Sequence, residues 1–243
     1  MIYHSTRSVQ FCADSAQAVL EGLAPDGGLY MPESIPAFDW QACLQGTSQE
    51  MSTAILSALL PEIPNMPELV KKAYTGKFET EDLTPTVEVG DFHVLELFRG
   101  PTSAFKDVAL SMLPQLLTAA KTAKGSKKDI LILTATSGDT GKAALEGFRD
   151  VDGVQICVFY PDGGVSKVQR AQMVTQEGNN VHVCAVEGNF DDAQTGVKNI
   201  FAAANADGQL PAAPALVCLP PTLSTLAVLL PRSPTTSRHT QIF

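Results

Sequence analysis

From about residue 106 onward the chain alternates helical stretches with short, continuous apolar runs, and few folds accept that pattern. Helical periodicity over about 106–123 is followed by an apolar run at 129–135, a helix at 140–149 and a run at 154–160. A helix at 166–177, a run at 180–186 and a helix at 190–204 complete the series. Runs that are apolar at nearly every position belong to strands covered on both faces. Such strands alternating with helices of about 10–15 residues form βαβ units. The pattern therefore predicts an α/β protein with an open, mostly parallel sheet and helices on both faces. Pro114 falls inside the first of these helices and is expected to kink it.

Upstream of that series the texture is different. Helical stretches at 13–22, 49–60 and 67–74 are separated by Gly22, Pro25-Asp26-Gly27-Gly28, Pro61 and Pro64. Two short apolar runs, 86–89 and 92–98, flank Gly90-Asp91 and read as a hairpin. A small, mainly helical N-terminal domain over 1–80 is expected, followed by the α/β region over 81–207.

Composition narrows the class of partner. Twenty-six acidic against 17 basic residues leave a net charge of −9, which argues against nucleic acid or an anionic membrane surface. No apolar run reaches the roughly 18 residues of a membrane span, and MIYHSTRSVQ lacks the apolar centre of a signal peptide. Five cysteines (Cys12, Cys43, Cys157, Cys184, Cys218) are scattered without a CxxC pair, so neither a disulfide framework nor a zinc cluster is expected. His4, His93, His182 and His239 show no metal-ligand spacing. These features describe a soluble cytoplasmic protein.

Two strand-to-helix junctions carry unusual residues, and in open parallel sheets ligands bind at such places. The first is Arg99-Gly100-Pro101-Thr102-Ser103-Ala104-Phe105-Lys106-Asp107. Lys106 falls on the first turn of a helix, where the dipole disfavours a cation. It is either a solvated lysine snorkelling at a loop or a partly buried amine of depressed pKa suited to a Schiff base. The second is Thr134-Ala135-Thr136-Ser137-Gly138-Asp139-Thr140-Gly141-Lys142. Hydroxyls and backbone N–H groups converging on a helix N-terminus make an anion site; an Asp/Thr helix cap without a ligand is the alternative. A nucleotide P-loop is excluded, because Thr136 stands where its first Gly is needed and Ala143 where Ser or Thr is needed. A dinucleotide fingerprint and a GxSxG elbow fail as well.

These segments resemble the threonine synthase family, pyridoxal-phosphate enzymes of fold type II with the tryptophan-synthase β-like fold. Leu97 to Asp107 is similar to that family's cofactor-lysine segment, and Ser137-Gly138-Asp139-Thr140-Gly141-Lys142 to its substrate loop. Tyr160 to Ser166, with Gln169 and Gln172-Met173, resembles the segment that follows, and Leu23 to Tyr30 the N-terminal domain. The resemblance implies that Lys106 holds pyridoxal 5'-phosphate and then serves as acid and base, with Phe105 and Asp139 beside the cofactor. It implies Thr136, Ser137, Gly138, Asp139, Thr140 and Lys142 as the substrate-binding set, although Lys142 could equally face solvent. The implied substrate is O-phosphohomoserine, which loses its α- and β-protons and its γ-phosphate before water adds at the β-carbon to give threonine. Serine/threonine dehydratases and cysteine synthases share the fold but usually carry Asn at the position of Asp139 and lack the Asp26-Gly27-Gly28-Leu29-Tyr30 segment. A non-catalytic ligand-binding role is the third reading.

The sequence departs from that family in its last part. Family members are about twice as long. After Asp207 there is no acidic residue, no aromatic one lies between Phe201 and Phe243, and six of the 16 prolines fall there. Codons for residues 218–243 can be chosen so that reading two bases later yields PSANSINIGRLAPAVAYYFKAYAD, which resembles the family's next block. Residues 208–243 are therefore expected to be an aberrant tail from a shifted reading frame, with a natural divergent tail as the alternative; it should be disordered rather than docked as strand and helix, and the chain alone poorly soluble or inactive.

Overall fold

The structure, a computed structural model, describes residues 1–207 and 215–218. The first strand, β1 (Ile2–Ser5), pairs antiparallel with β2 (Cys12–Asp14) and with β3 (Tyr30–Pro32). Strands of three or four residues leave too little alternation to be seen as a period, and the sequence pattern has no counterpart for this sheet. Between β2 and β3 lies α1 (Ser15–Glu21), capped by Asp14, whose carboxylate accepts the Gln17 N–H at 2.9 Å, and stopped at Gly22 with φ 68°.

Three more helices follow: α2 (Trp40–Cys43), α3 (Ser48–Leu59) and α4 (Met66–Tyr74). A reciprocal capping box between Thr47 and Glu50 starts α3, and a proline in the first turn starts α4. The hairpin is β4 (Thr86–Val89) with β5 (Phe92–Leu95). The alternating series then gives α5 (Asp107–Ala123), β6 (Ile130–Ala135), α6 (Asp139–Phe148), β7 (Val154–Pro161), α7 (Lys167–Val174), β8 (Val181–Val186) and α8 (Phe190–Asp207).

Strands β6, β7 and β8 are parallel neighbours, and β9 (Ala215–Cys218) adds to the far side of β6, giving the order β8-β7-β6-β9. Here the structure departs from expectation. Ala215–Cys218 falls within the segment read as an aberrant tail, yet this apolar four-residue stretch pairs in parallel with Ile130 to Leu133. The expectations for residues 208–214 and 219–243 lie outside the described residues.

One helix organises the interior. Leu110, Leu113 and Leu117 of α5 join Ile130, Ile132, Ile156, Val158 and Phe148 in the core beneath the parallel sheet. Val108, Met112, Leu116 and Ala120 of the same helix join Tyr3, Leu56, Val70 and Tyr74 in the core of the N-terminal elements. Asp107 to Pro114 of α5 are buried in succession, so the helix packs on opposite faces over its first two turns, while Thr118, Thr122 and Ala123 reach solvent further along. On the sheet's other face α8 contacts β6 and β7, with Ala193 and Val197 buried.

Pro114 does not interrupt α5, which runs as one element from Asp107 to Ala123. Because proline has no N–H, the Leu110 carbonyl is left without its usual intrahelical donor. Gly147 of α6 presses against that carbonyl, and a Cβ on Gly147 would overlap the oxygen. Gly147→Ala is accordingly expected to destabilise the fold by about 1–3 kcal/mol through overpacking. Gly196→Ala, in α8 with nothing near the added Cβ, should stabilise it by about 0.5–1 kcal/mol. Urea-unfolding midpoints of the two variants should thus move in opposite directions.

Candidate active site

The turn that delivers Lys106 is held by the residue after it. Asp107 is buried, and its carboxylate accepts the Thr102 N–H at 2.8 Å, the Thr102 hydroxyl at 2.6 Å and the Ala104 N–H at 3.4 Å. Burial raises the Asp107 pKa, and these three hydrogen bonds pull against that rise. Gly100 lets the chain pass close: a Cβ there would lie 2.5 Å from Cβ of Asp107. Lys106 follows as the N-cap residue of α5 with no side-chain cap, and only 9% of its surface is exposed. Its Nζ lies 5.2 Å from the centre of the Phe105 ring. Burial holds the amine below the usual lysine range, and the Asp139 carboxylate partly opposes that shift.

The second loop is shaped by Thr136 and two glycines. The Thr136 side chain is buried; its oxygen accepts the N–H groups of Gly138 at 3.0 Å and Gly141 at 2.9 Å. Gly138 has φ 149° and ψ −92°, a conformation open only to glycine. Gly141 sits where a Cβ would come within 2.9 Å of both Met173 Sδ and Val158 Cγ1, so α6 can lie close against β7 and α7. The loop thus begins α6 with Asp139 in its first turn.

The two loops open on one cleft of about 280 Å³, lined by Phe105, Lys106, Ser137, Asp139, Thr140 and Gln169. Five of these are residues singled out from the sequence for cofactor or substrate. Gly138 forms the bend between them, pressed against the Gln169 amide. Thr136 is buried behind the loop and orders its backbone. Lys142 faces elsewhere: its ammonium meets Gln176 and lies 3.7 Å from Glu146. Glu146, one turn further along α6, and Gln176, after α7, hold the ammonium on the α6 flank, away from the cleft.

Gln169 takes a place that the sequence marked only as part of a resembling segment. Its Oε1 accepts the Ser166 N–H at 3.2 Å in the capping box of α7, and its Nε2 donates to Asp139 Oδ1 at 2.7 Å. The S-x-x-Q spacing from Ser166 announces the cap, but nothing local shows that the amide's other end reaches a residue thirty positions earlier.

This site can do two things. A nearly buried amine of lowered basicity is a nucleophile for an aldehyde carbonyl. The free N–H groups and hydroxyls at the start of α6 suit an anion. Among the described residues no group of three His, Cys, Asp or Glu is arranged to hold a metal ion, and no helix is long and apolar enough to cross a membrane.

Known proteins match both the sequence and this architecture. Residues 2–74 match the family described as threonine synthase N terminus. The chain is 40% identical over 220 residues to the threonine synthase of Saccharomyces cerevisiae, covering 82% of this chain and 43% of that protein. It is 39% identical over 209 residues to the threonine synthase of Pseudomonas aeruginosa, covering 83% and 44%. Among solved structures, the pyridoxal-phosphate-bound threonine synthase of Brucella melitensis superposes with a TM-score of 0.79 at 37% identity, covering 90% of this chain and 47% of that one. The Escherichia coli threonine synthase gives 0.78 at 31%, covering 95% and 52%. The chain thus spans about half the length of the relatives it matches. By sequence and by fold, the chain is similar to about half the length of known threonine synthases, and the match to their N-terminal family model lies in its first 74 residues.

Proposed function

We propose that this chain carries the lysine and substrate loop of a threonine synthase, which converts O-phospho-L-homoserine and water to L-threonine and phosphate with pyridoxal 5'-phosphate. The observation that supports it most is the shared cleft: the Lys106 amine and the start of α6 face one space. The cytoplasm suits such an enzyme, with its scattered cysteines and acidic surface. In this reading residues 1–80 are the N-terminal domain and 81–207 part of the catalytic domain.

The residues fit the cofactor. Lys106 supplies an amine that deprotonates more readily than an exposed lysine, as attachment to an aldehyde requires. The Phe105 ring beside it offers an apolar wall for a flat heterocycle. Bound there, pyridoxal phosphate supplies an electron sink for the charge left when a proton departs from the substrate α-carbon. Lys106 Nζ is the base within the cleft for that proton. Ser137 and Thr140, with the N–H groups that open α6, bind the carboxylate or phosphate of the substrate. Asp139, fixed by Gln169, keeps a negative charge that attracts the substrate ammonium and holds Lys106 in place.

Two outcomes are expected. Incubation with pyridoxal phosphate, borohydride reduction and peptide mass mapping should place the modification on Lys106, and Lys106→Ala should abolish it. An unmodified Lys106 in the folded chain would sink the proposal. The second concerns pH. The folded-state pKa of Lys106 lies below the ordinary lysine value of 10.5. The unfolded chain therefore binds more protons between those two values, and stability rises with pH across that window. Lys106→Met removes the cost of burying the cation. It should be more stable than the parent at pH 7, with the advantage fading as pH rises above the lowered folded-state value and gone by 10.5; urea titrations across that range measure it.

A further inference from the structure

The small antiparallel sheet of the N-terminal elements turns one face outward. Tyr3 and Ser5 of β1 are buried, so Ile2 and His4 stand on the opposite face. His4 is the centre of a row: it pairs with Cys12 of β2 on one side and with Met31 of β3 on the other. Residues directly opposite one another share a face. The two gaps in the row differ. Ser5 donates its N–H to the Phe11 carbonyl at 2.9 Å, so the next pair, His4 with Cys12, is the close kind, about 4.5 Å between Cα atoms. Thr6 donates to the Leu29 carbonyl at 2.8 Å and Glu33 to the Ile2 carbonyl at 2.9 Å. The pair bracketed by them, His4 with Met31, is the wider kind, about 5.5 Å. The short thiol thus faces the narrow gap and the long, unbranched thioether the wide one. Cys12 is free and exposed, and Met31 is 52% exposed. His4 Nδ1 lies 3.3 Å from the Val9 carbonyl oxygen. In the neutral ring that contact puts the proton on Nδ1 and leaves the Nε2 lone pair for a ligand.

We propose that Cys12, His4 and Met31 form a binding site for copper(I) on the outward face of this sheet. None of the three lines the Lys106 cleft, so the site stands apart from the chemistry assigned there. Ligand character selects the ion. Thiolate and thioether are soft donors that favour copper(I), and imidazole suits copper as well. Zinc is served less well, because its structural sites take four ligands from Cys, His and carboxylates, and a thioether is not among them. Calcium and magnesium require oxygen. The Val9 carbonyl acts as the outer partner that orients a ligating histidine. On binding, the Cys12 thiol releases its proton to solvent and the sulfur gives a lone pair to the metal; the copper stays in its +1 state. The ligands stand at positions 4, 12 and 31, and only strand pairing brings them into one row.

The test titrates the full 243-residue chain with copper(I), anaerobically and with ascorbate present, against a chromophoric copper(I) chelator. One copper per chain is expected to withstand the chelator, and X-ray absorption of that complex should show two sulfur neighbours and one nitrogen. Cys12→Ser, His4→Ala and Met31→Leu should each lower the affinity by at least about tenfold, the loss that even an outer partner of a ligand brings. All three change outward-facing side chains, so their circular dichroism should match the parent. Cys184→Ser removes the other exposed thiol among the described residues and should bind like the parent. Affinity should fall as pH is lowered, because protons compete for the thiolate and the imidazole. Failure to hold copper against the chelator would overturn the proposal. So would retention undiminished in Cys12→Ser, which would assign the metal to other thiols. A loss in Cys12→Ser with none in His4→Ala and Met31→Leu would reduce the site to a single thiol and overturn it equally.

Discussion

The structure rests on the burial of α5 between two cores. Leu110, Met112, Leu116 and Leu117 are all at most 1% exposed, and each contributes about 1.5–3 kcal/mol relative to an exposed position. They do not stabilise the same partner. One face of the helix is the floor of the parallel-sheet core, and the other is the roof of the N-terminal core. Tyr74 adds a polar tie, donating its hydroxyl to the Val108 carbonyl at 3.1 Å. The two groups of elements are thus joined through one rigid rod, and Lys106 sits at its start. Lys106 is thus placed by a helix that two cores hold together.

That placement has an electrostatic consequence. The start of α5 disfavours a cation, and burial disfavours it again. Both effects act on Lys106 in the same direction, while the Phe105 ring and the Asp139 charge retain enough attraction to keep the side chain in the cleft. Asp107 carries the structural load beside it. By accepting from Thr102 and Ala104, it closes the Gly100 to Ala104 turn, and Lys106 therefore needs no capping role of its own. Adjacent residues divide the work, the acidic one fixing the backbone and the basic one remaining free for chemistry.

The parallel series was legible because its strands are apolar throughout and long enough to contrast with the helices, as in Ile130–Ala135 and Val154–Pro161. The same logic explains what was illegible. β1, β2 and β3 are three or four residues long and mix Tyr3 with His4 and Cys12 with Asp14, so no period emerges and only tertiary pairing makes them strands. β9 went unread because four residues among prolines and alanines carry little signal until β6 offers an edge. In the cleft, local motifs exposed Lys106 and the Ser137 to Thr140 turn, since glycine and hydroxyl density is visible in a linear string. The Gln169–Asp139 bond spans thirty residues and depends on how α7 lies across α6. The direction of Lys142 depends on the packing of its flank against Gln176 and Glu146. Spacing within one segment contains neither fact.

Gln169 ties the loop from one side. Its amide oxygen is occupied by the Ser166 cap, so only its N–H end is available to residue 139. An acceptor must stand at that position, and a carboxylate meets the need with one oxygen while leaving Oδ2 for the cleft. The backbone behind it is tied by Thr136 to Gly138 and Gly141. Ser137 and Thr140, by contrast, line the cleft with hydroxyls that no packed neighbour dictates. Rigid support behind the carboxylate and free donors in front of it form a site that fixes a cationic group and adapts to an anionic one.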